Sequence, residues 1–221
     1  MEPNYNGFGP YPINSSIYLA DVFTPEECQQ IIKIGSEHWV KNDGGIGNNW
    51  LASNDEDKHI DNNIRTTTIY AVDPTEFDKK FELREFQEWL FKKIMNEVMN
   101  TNLGNEYFPG WKFDISGFLE NPQLMIYESS RNGHYEWHID IGPYEPACKR
   151  KIAYTLILNS KDEYDGGDLL FKLDKDDYHR EFYDIGGMIM FPTYMLHKVT
   201  PVTRGNRYTL VGWIHGNQPF R

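Results

Sequence analysis

The chain has 221 residues, enough for one large domain or a core with an N-terminal extension, and its 39% hydrophobic content is ordinary for a globular fold. A formal net charge of −11 repels phosphate backbones and disfavours nucleic acid as a partner. No run reaches about 18 apolar residues, so no membrane-spanning helix is expected.

The opening stretch, MEPNYNGFGPYP, lacks the basic region and apolar core of a secretory signal. Cys28 and Cys148 do not make a disulfide framework and are read as free thiols of a reducing compartment, so a cytoplasmic location is the expectation. Next comes YLADVFTPEECQQIIKIGSEH, a short apolar strand and then a helix. Thr24 suits the N-cap, Pro25 the first helical position, and Glu27 completes a capping box. Cys28, Ile31 and Ile34 fall at helical spacing and predict one inward face. Residues 41–63, rich in Gly, Asn and Asp, read as a long irregular loop and a candidate lid, with Trp50 as its best apolar contact for a substrate. FELREFQEWLFKKIMNEVMN predicts the strongest helix, with Leu83, Phe86, Leu90, Ile94 and Val98 on one stripe.

After residue 112 the texture changes to short strands punctuated by Gly, Pro and Asn. The candidates are FDISGFLE, QLMIYESS, HYEWHID, KIAYTLILN, DLLFKL, EFYDI, GMIMF, HKVTPV and RYTLVGWIH. Strands at this density predict a sandwich or jelly roll. The class is α+β: one domain over 1–221, with residues 1–111 as a helical and loop support region and 112–221 as an all-β core.

GHYEWHID carries the densest cluster of metal-ligating side chains. On a strand, residues two apart face one way, so His138 and Asp140 can share a metal. His134 has the same parity, and with His138 it raises a helical HxxxH zinc site. The zinc-protease form needs Glu directly after the first His, and Tyr135 stands there. The candidates for a third ligand are His38, His59, His179, His197 and His215, of which His197 opens a strand after a Phe-Pro turn. Two histidines and one carboxylate on a β scaffold make a facial triad, which leaves adjacent metal positions open and suits Fe(II). Arg207 shares one strand face with Thr209, Val211 and Trp213. An arginine turned into a barrel there is costly unless it holds an anion, such as a carboxylate gripped bidentately.

The stretches YESSRNGHYEWHID, YDGGDLLF and HKVTPVTRGNRYTLVGW resemble the prolyl 4-hydroxylase-type branch of the Fe(II)/2-oxoglutarate dioxygenases. VFTPEECQQII resembles that family's helix opening and IRTTTIY its Arg-Thr strand, so the resemblance covers nearly the whole chain. One extra residue separates Tyr127 from His138, and several more lie between Asp140 and the next strand. The resemblance implies a double-stranded β-helix (a jelly-roll or cupin-like core) braced by the N-terminal helices. It implies Fe(II) held by His138, Asp140 and His197, and 2-oxoglutarate held through its 5-carboxylate by Arg207. Tyr127 matches a tyrosine near the co-substrate, and Trp213 an aromatic beside the metal pocket. Either Tyr154 or Thr155 is expected to hydrogen-bond the 5-carboxylate, with Tyr154 favoured; opposite parity lets only one face inward. Tyr135 and Trp50 are the expected substrate contacts.

The implied activity consumes O2 and 2-oxoglutarate, releases succinate and CO2, and hydroxylates a prolyl residue in a peptide or protein, with ascorbate in support. Asp140 argues against a halogenating relative, in which a small residue replaces that carboxylate. Two rival readings stand beside it: the same chemistry on a small molecule such as a free amino acid, and a non-enzymatic metal-binding cupin-like module, which Arg207 disfavours.

Overall fold

The computed structural model describes residues 16–43, 61–72, 81–106, 108–173, 176–179 and 184–220. Its strands are β1 (Ile17–Leu19), β2 (Val40–Asp43), β3 (Arg65–Thr66), β4 (Thr68–Ala71), β5 (Gln123–Glu128), β6 (His134–His138) and β7 (Arg150–Ile157). Then come β8 (Asp165–Gly166), β9 (Leu169–Leu173), β10 (Asp176–His179), β11 (Met188–Pro192), β12 (His197–Val199), β13 (Val202–Arg204) and β14 (Asn206–His215). Among the described residues they form a seven-stranded sheet, β1-β11-β7-β14-β5-β4-β2, a five-stranded sheet, β10-β9-β12-β6-β3, and a small β13-β8 pair. The pairings are antiparallel, and the two larger sheets face each other as a double-stranded β-helix.

Alternation along the central strands builds two cores. Leu124, Ile126, Ile152, Tyr154, Leu156, Leu210 and Ile214 turn toward the helices. Met125, Tyr127, Ala153, Ile157 and Trp213 turn inward against Leu169, Phe171 and Val199 of the smaller sheet.

Helices α1 (Pro25–His38) and α2 (Phe81–Leu103) cover the outer face of the large sheet. The capping box of α1 forms: Glu27 N–H donates to Thr24 Oγ1 at 3.2 Å, and Thr24 N–H donates to the Glu27 carboxylate at 2.8 Å. Glu27 also pairs with Lys93 of α2 at 2.6 Å, so one side chain caps the first helix and ties it to the second. Cys28, Ile31 and Gly35 are its buried residues, while Ile34 is only partly covered. A Cβ at Gly35 would lie 2.8 Å from Leu124 Cδ2, so glycine lets α1 sit close on β5. Leu83, Phe86, Leu90, Ile94 and Val98 of α2 are all buried, as their periodicity requires.

Three expectations need correction. Residues 41–43 are not loop: they belong to β2, whose backbone finds its partner in β4. Residues 44–60, with Trp50 and most of the expected lid, lie outside the described residues. FDISGFLE is not a strand; Gly117, at φ +128°, makes a single bridge to His215, and the rest of the segment is held by caps and side chains. Of EFYDI, residues 181–183 lie outside the described residues, and Asp184 and Ile185 are not in a strand.

The segment around residues 116–120 nevertheless fixes the end of the large sheet. Leu119 N–H donates to His215 Nδ1 at 3.2 Å, which leaves the imidazole proton on Nε2 to donate to Glu120 Oε2 at 2.9 Å. Arg150, at the start of β7, gives Nε–H to Glu120 Oε2 at 2.6 Å and a second, very short bond to Oε1. Burial alone would raise the Glu120 carboxyl, but the hydrogen bonds from Arg150 and His215 overcome it and pull it down to about 2. Because the folded value lies below the unfolded one, the resulting stability is complete above about pH 4.5 and is lost as pH falls toward about 2. Its size is about 3 kcal/mol. Glu120→Gln, measured by urea unfolding at pH 7, should cost about 3 kcal/mol by leaving Arg150 buried without its counter-charge. The variant should also show a flatter decline in stability between about pH 4.5 and 2.5 than the parent.

Candidate metal and anion site

His138 ends β6 and His197 opens β12, and the two are directly paired across the strands. Their rings lie 4.2 Å apart, centroid to centroid. Asp140 follows two residues after His138, with its amide donating to Thr193 O at 2.9 Å and its carbonyl accepting from Arg150 Nη1 at 2.8 Å. Its carboxylate stands 3.8 Å from His138 Nε2 and 3.7 Å from His197 Nε2. Two atoms bound to one ion at about 2.1 Å can be at most about 4.2 Å apart, so these separations fit a shared ion. All three ligand atoms lie within 4.8 Å of one another.

The imidazoles are oriented for this. His138 Nδ1–H donates to Glu136 O at 2.7 Å and His197 Nδ1–H to Met195 O at 2.8 Å. Both bonds turn the ring's Nε2 toward Asp140. Burial, and then the neighbouring His197, hold His138 well below the ordinary histidine range, which keeps it in the neutral form a metal needs. The donors are two nitrogens and a carboxylate with no thiolate, a set that fits Fe(II) with open positions.

His134 is engaged elsewhere. Its Nδ1 lies 2.8 Å from Asn132 O and its Nε2 3.3 Å from Asn63 O. The stretch is a strand, so a helical HxxxH site is ruled out. Strict alternation also fails within it. His197 pairs with His138 and Val199 with Tyr135, so three residues of β6 span the distance of two in β12. The bulge brings Tyr135 to the same side as His138, where the rings stack at 3.5 Å and 14°. The Arg65 guanidinium lies over the other part of this stack, 4.5 Å from the Tyr135 ring.

Arg207 is the other charged group on the inner face. It is 2% exposed, and its Nε and Nη2 have no hydrogen-bond partner. Tyr127, its direct neighbour across β14 and β5, presents its ring 5.2 Å from the guanidinium. Thr209, on the same face, has a fully buried hydroxyl without a partner. Tyr164, from the turn before β8, contributes another buried hydroxyl, which lies beside Arg207 and has no acceptor for its own hydrogen. Burial raises the Tyr164 phenol and the nearby Arg207 charge opposes the rise. A buried cation ringed by unsatisfied donors is unfavourable unless a carboxylate or similar anion completes it. These residues therefore fit the distal carboxylate of a dicarboxylic co-substrate.

Trp213 lies on the inner face, where Arg150 covers its ring at 3.7 Å. Phe191, two strands away through Ala153, packs its ring 4.7 Å from that of His197. Tyr154 is a correction. It is fully buried in the helix-side core, with its hydroxyl 2.3 Å from where a Gly212 Cβ would be, and so lies on the opposite face of the sheet from Arg207. Thr155 has the inward parity and pairs with Val211. Sequence reasoning missed Tyr164, which is far from Arg207 in the chain. It also missed the Glu120–Arg150 pair behind Asp140. The Thr209 hydroxyl was visible in the parity of β14.

Residues 122–215 match the model of the 2OG-Fe(II) oxygenase superfamily. A PKHD-type hydroxylase of Synechococcus is 35% identical over 91 residues, 41% of this chain and 40% of the relative. The PKHD-type hydroxylase YbiX of Escherichia coli is 30% identical over 129 residues, 57% of this chain and 55% of the relative. The chain thus spans about half the length, or less, of these curated relatives. Two solved structures share the fold. A Pseudomonas putida prolyl-4-hydroxylase superposes with a TM-score of 0.59 at 16% identity, over 92% of this chain and 94% of that one. A Trichoplax adhaerens prolyl hydroxylase in complex with a hypoxia inducible factor peptide fragment gives 0.65 at 16% identity, over 91% and 84%. Residues 122–215 thus resemble the 2OG-Fe(II) oxygenase superfamily, the fold is shared with the two prolyl hydroxylases, and the matched stretch carries the converging His138, Asp140 and His197.

Proposed function

We propose that this chain is an Fe(II)- and 2-oxoglutarate-dependent dioxygenase that hydroxylates a prolyl residue within a peptide or protein and releases succinate and CO2. The observation that carries the reading is Arg207, a buried guanidinium with two nitrogens left without partners on the inner face of the large sheet. When bound, Fe(II) would supply the oxidising chemistry on O2 and 2-oxoglutarate. His138, Asp140 and His197 would hold the ion, with both imidazoles oriented by their Nδ1 bonds. Arg207 would fix the far carboxylate of 2-oxoglutarate, and Trp213, Phe191 and Tyr127 would exclude water from the space between. Tyr135, stacked on His138, would border the substrate's approach. The prolyl assignment draws on the two prolyl hydroxylases of the same fold, one of them solved with a peptide. A cytoplasmic location fits the two free cysteines, and among the described residues no helix is long and apolar enough to cross a membrane. Residues 1–221 would act as one catalytic unit, because strands from the first hundred residues extend both sheets.

The test is succinate formation with Fe(II), ascorbate and 2-oxoglutarate, with mass spectrometry of proline-containing peptides for the gain of one oxygen. Turnover of free proline in preference to every peptide would move the substrate to the small-molecule class. His138→Ala, Asp140→Ala and His197→Ala should each abolish succinate release and Mn(II) binding while leaving the circular dichroism spectrum unchanged. Asp140→Ala keeps the backbone carbonyl that Arg150 uses, so its fold is expected to survive. Arg207→Met should weaken 2-oxoglutarate binding about a hundredfold and leave Mn(II) affinity unchanged. Without co-substrate this variant should be no less stable than the parent, because it removes an unpaired buried charge. Thermal shifts with and without 2-oxoglutarate read both effects.

A further inference from the structure

The anion pocket around Arg207 has more donors than one guanidinium. We infer that Tyr164 donates its phenolic hydrogen to the same distal carboxylate of 2-oxoglutarate that Arg207 holds. This rests on the dioxygenase reading above and assigns a co-substrate residue that neither the β14 nor the β7 pattern supplies. β7 offers no tyrosine to that space, since Tyr154 points to the helices.

Three observations place Tyr164 there. The residue is 1% exposed, and its hydroxyl is buried beside the Arg207 guanidinium, which can only donate, so the phenolic hydrogen has no acceptor. A phenol buried in that state is unfavourable unless an acceptor arrives, and a carboxylate is the strongest acceptor available. Its ring and the Arg207 side chain converge on the same glycine. A Cβ at Gly167, which sits at φ +66°, would lie 2.8 Å from Arg207 Cδ and 3.5 Å from Tyr164 Cε2. Glycine is thus what permits the two side chains to close on one space. Finally, Tyr164 is held from behind. Its amide donates to Lys161 O at 3.4 Å, Lys161 Nζ lies 4.6 Å over its ring, and a Cβ at Gly205 would come within 3.2 Å of its Cα. The ring is therefore preorganised, so the bond costs little ordering when the co-substrate binds. Thr209 completes the set with a second buried hydroxyl, on the same face as Arg207.

The experiment is calorimetric titration of the Mn(II)-loaded protein with 2-oxoglutarate and, separately, with pyruvate, which keeps the 2-keto acid end and lacks the distal carboxylate. Tyr164→Phe retains the ring and its packing, and a melting curve confirms the fold. The expected result is a loss of about tenfold in 2-oxoglutarate affinity with pyruvate affinity unchanged. Tyr154→Phe, which removes an equally buried hydroxyl on the other face, should change neither. If Tyr164→Phe leaves 2-oxoglutarate affinity intact while Arg207→Met loses it, the inference about Tyr164 is overturned and the dioxygenase reading stands. An equal loss for both ligands also overturns it, because the ring would then be supporting the site as a whole. If Arg207→Met too has no effect on 2-oxoglutarate, the anion pocket itself is misassigned and the inference falls with the reading it rests on.

Discussion

The pairing of His197 with His138 across β12 and β6 sets the position of everything else in the site. Cross-strand neighbours on one sheet face are held about 5 Å apart by the backbone, so two imidazoles meet without any long-range fit. Asp140 then needs only to turn back over them. Its own backbone does this by bonding at both ends, to the Thr193 carbonyl and to the Arg150 guanidinium. The ligand set is thus fixed by main-chain contacts on rigid strands, and the side chains contribute only their last torsions.

Behind this first layer lies an electrostatic one. Arg150 is shared among the Asp140 carbonyl, the Glu120 carboxylate and the Trp213 ring. Its charge is matched by Glu120, whose remaining lone pairs go to His215. This pair is satisfied within the protein, whereas the pair that Arg207 needs is not. The contrast separates the two buried arginines by role. One is complete and orients the chain. The other is incomplete and is what a ligand would finish.

Much of this could be read from residues alone. The Thr24 capping box and the α2 stripe depend on neighbours a few residues away, so their signals are local. The closeness of His138, Asp140 and His197 was legible from spacing joined to the family resemblance. The choice between Tyr154 and Thr155 was not. β7 is buried on both faces from Lys151 to Ile157, so no polar edge marks its inward side. FDISGFLE alternates like a strand, but side-chain caps satisfy its backbone and only one bridge forms. Tyr164 meets Arg207 across more than forty residues, through a turn that periodicity does not describe.

The extra residue in β6 separates two registers. Upstream, His134 and Tyr135 keep step with Thr66 and Arg65 of β3; downstream, His138 keeps step with His197. Because the bulge absorbs the mismatch, each half of the strand keeps its own partner. The loop between β5 and β6 can gain or lose length without rotating the metal ligand out of the sandwich. Removing one residue from within Glu136–Trp137 would erase the bulge and leave Tyr135 and His138 two apart in plain alternation, still on one face. Glu136–Trp137 is thus where β6 can take up a change of one residue, with the β3 pairing above it and the metal-ligand candidate below it left in register.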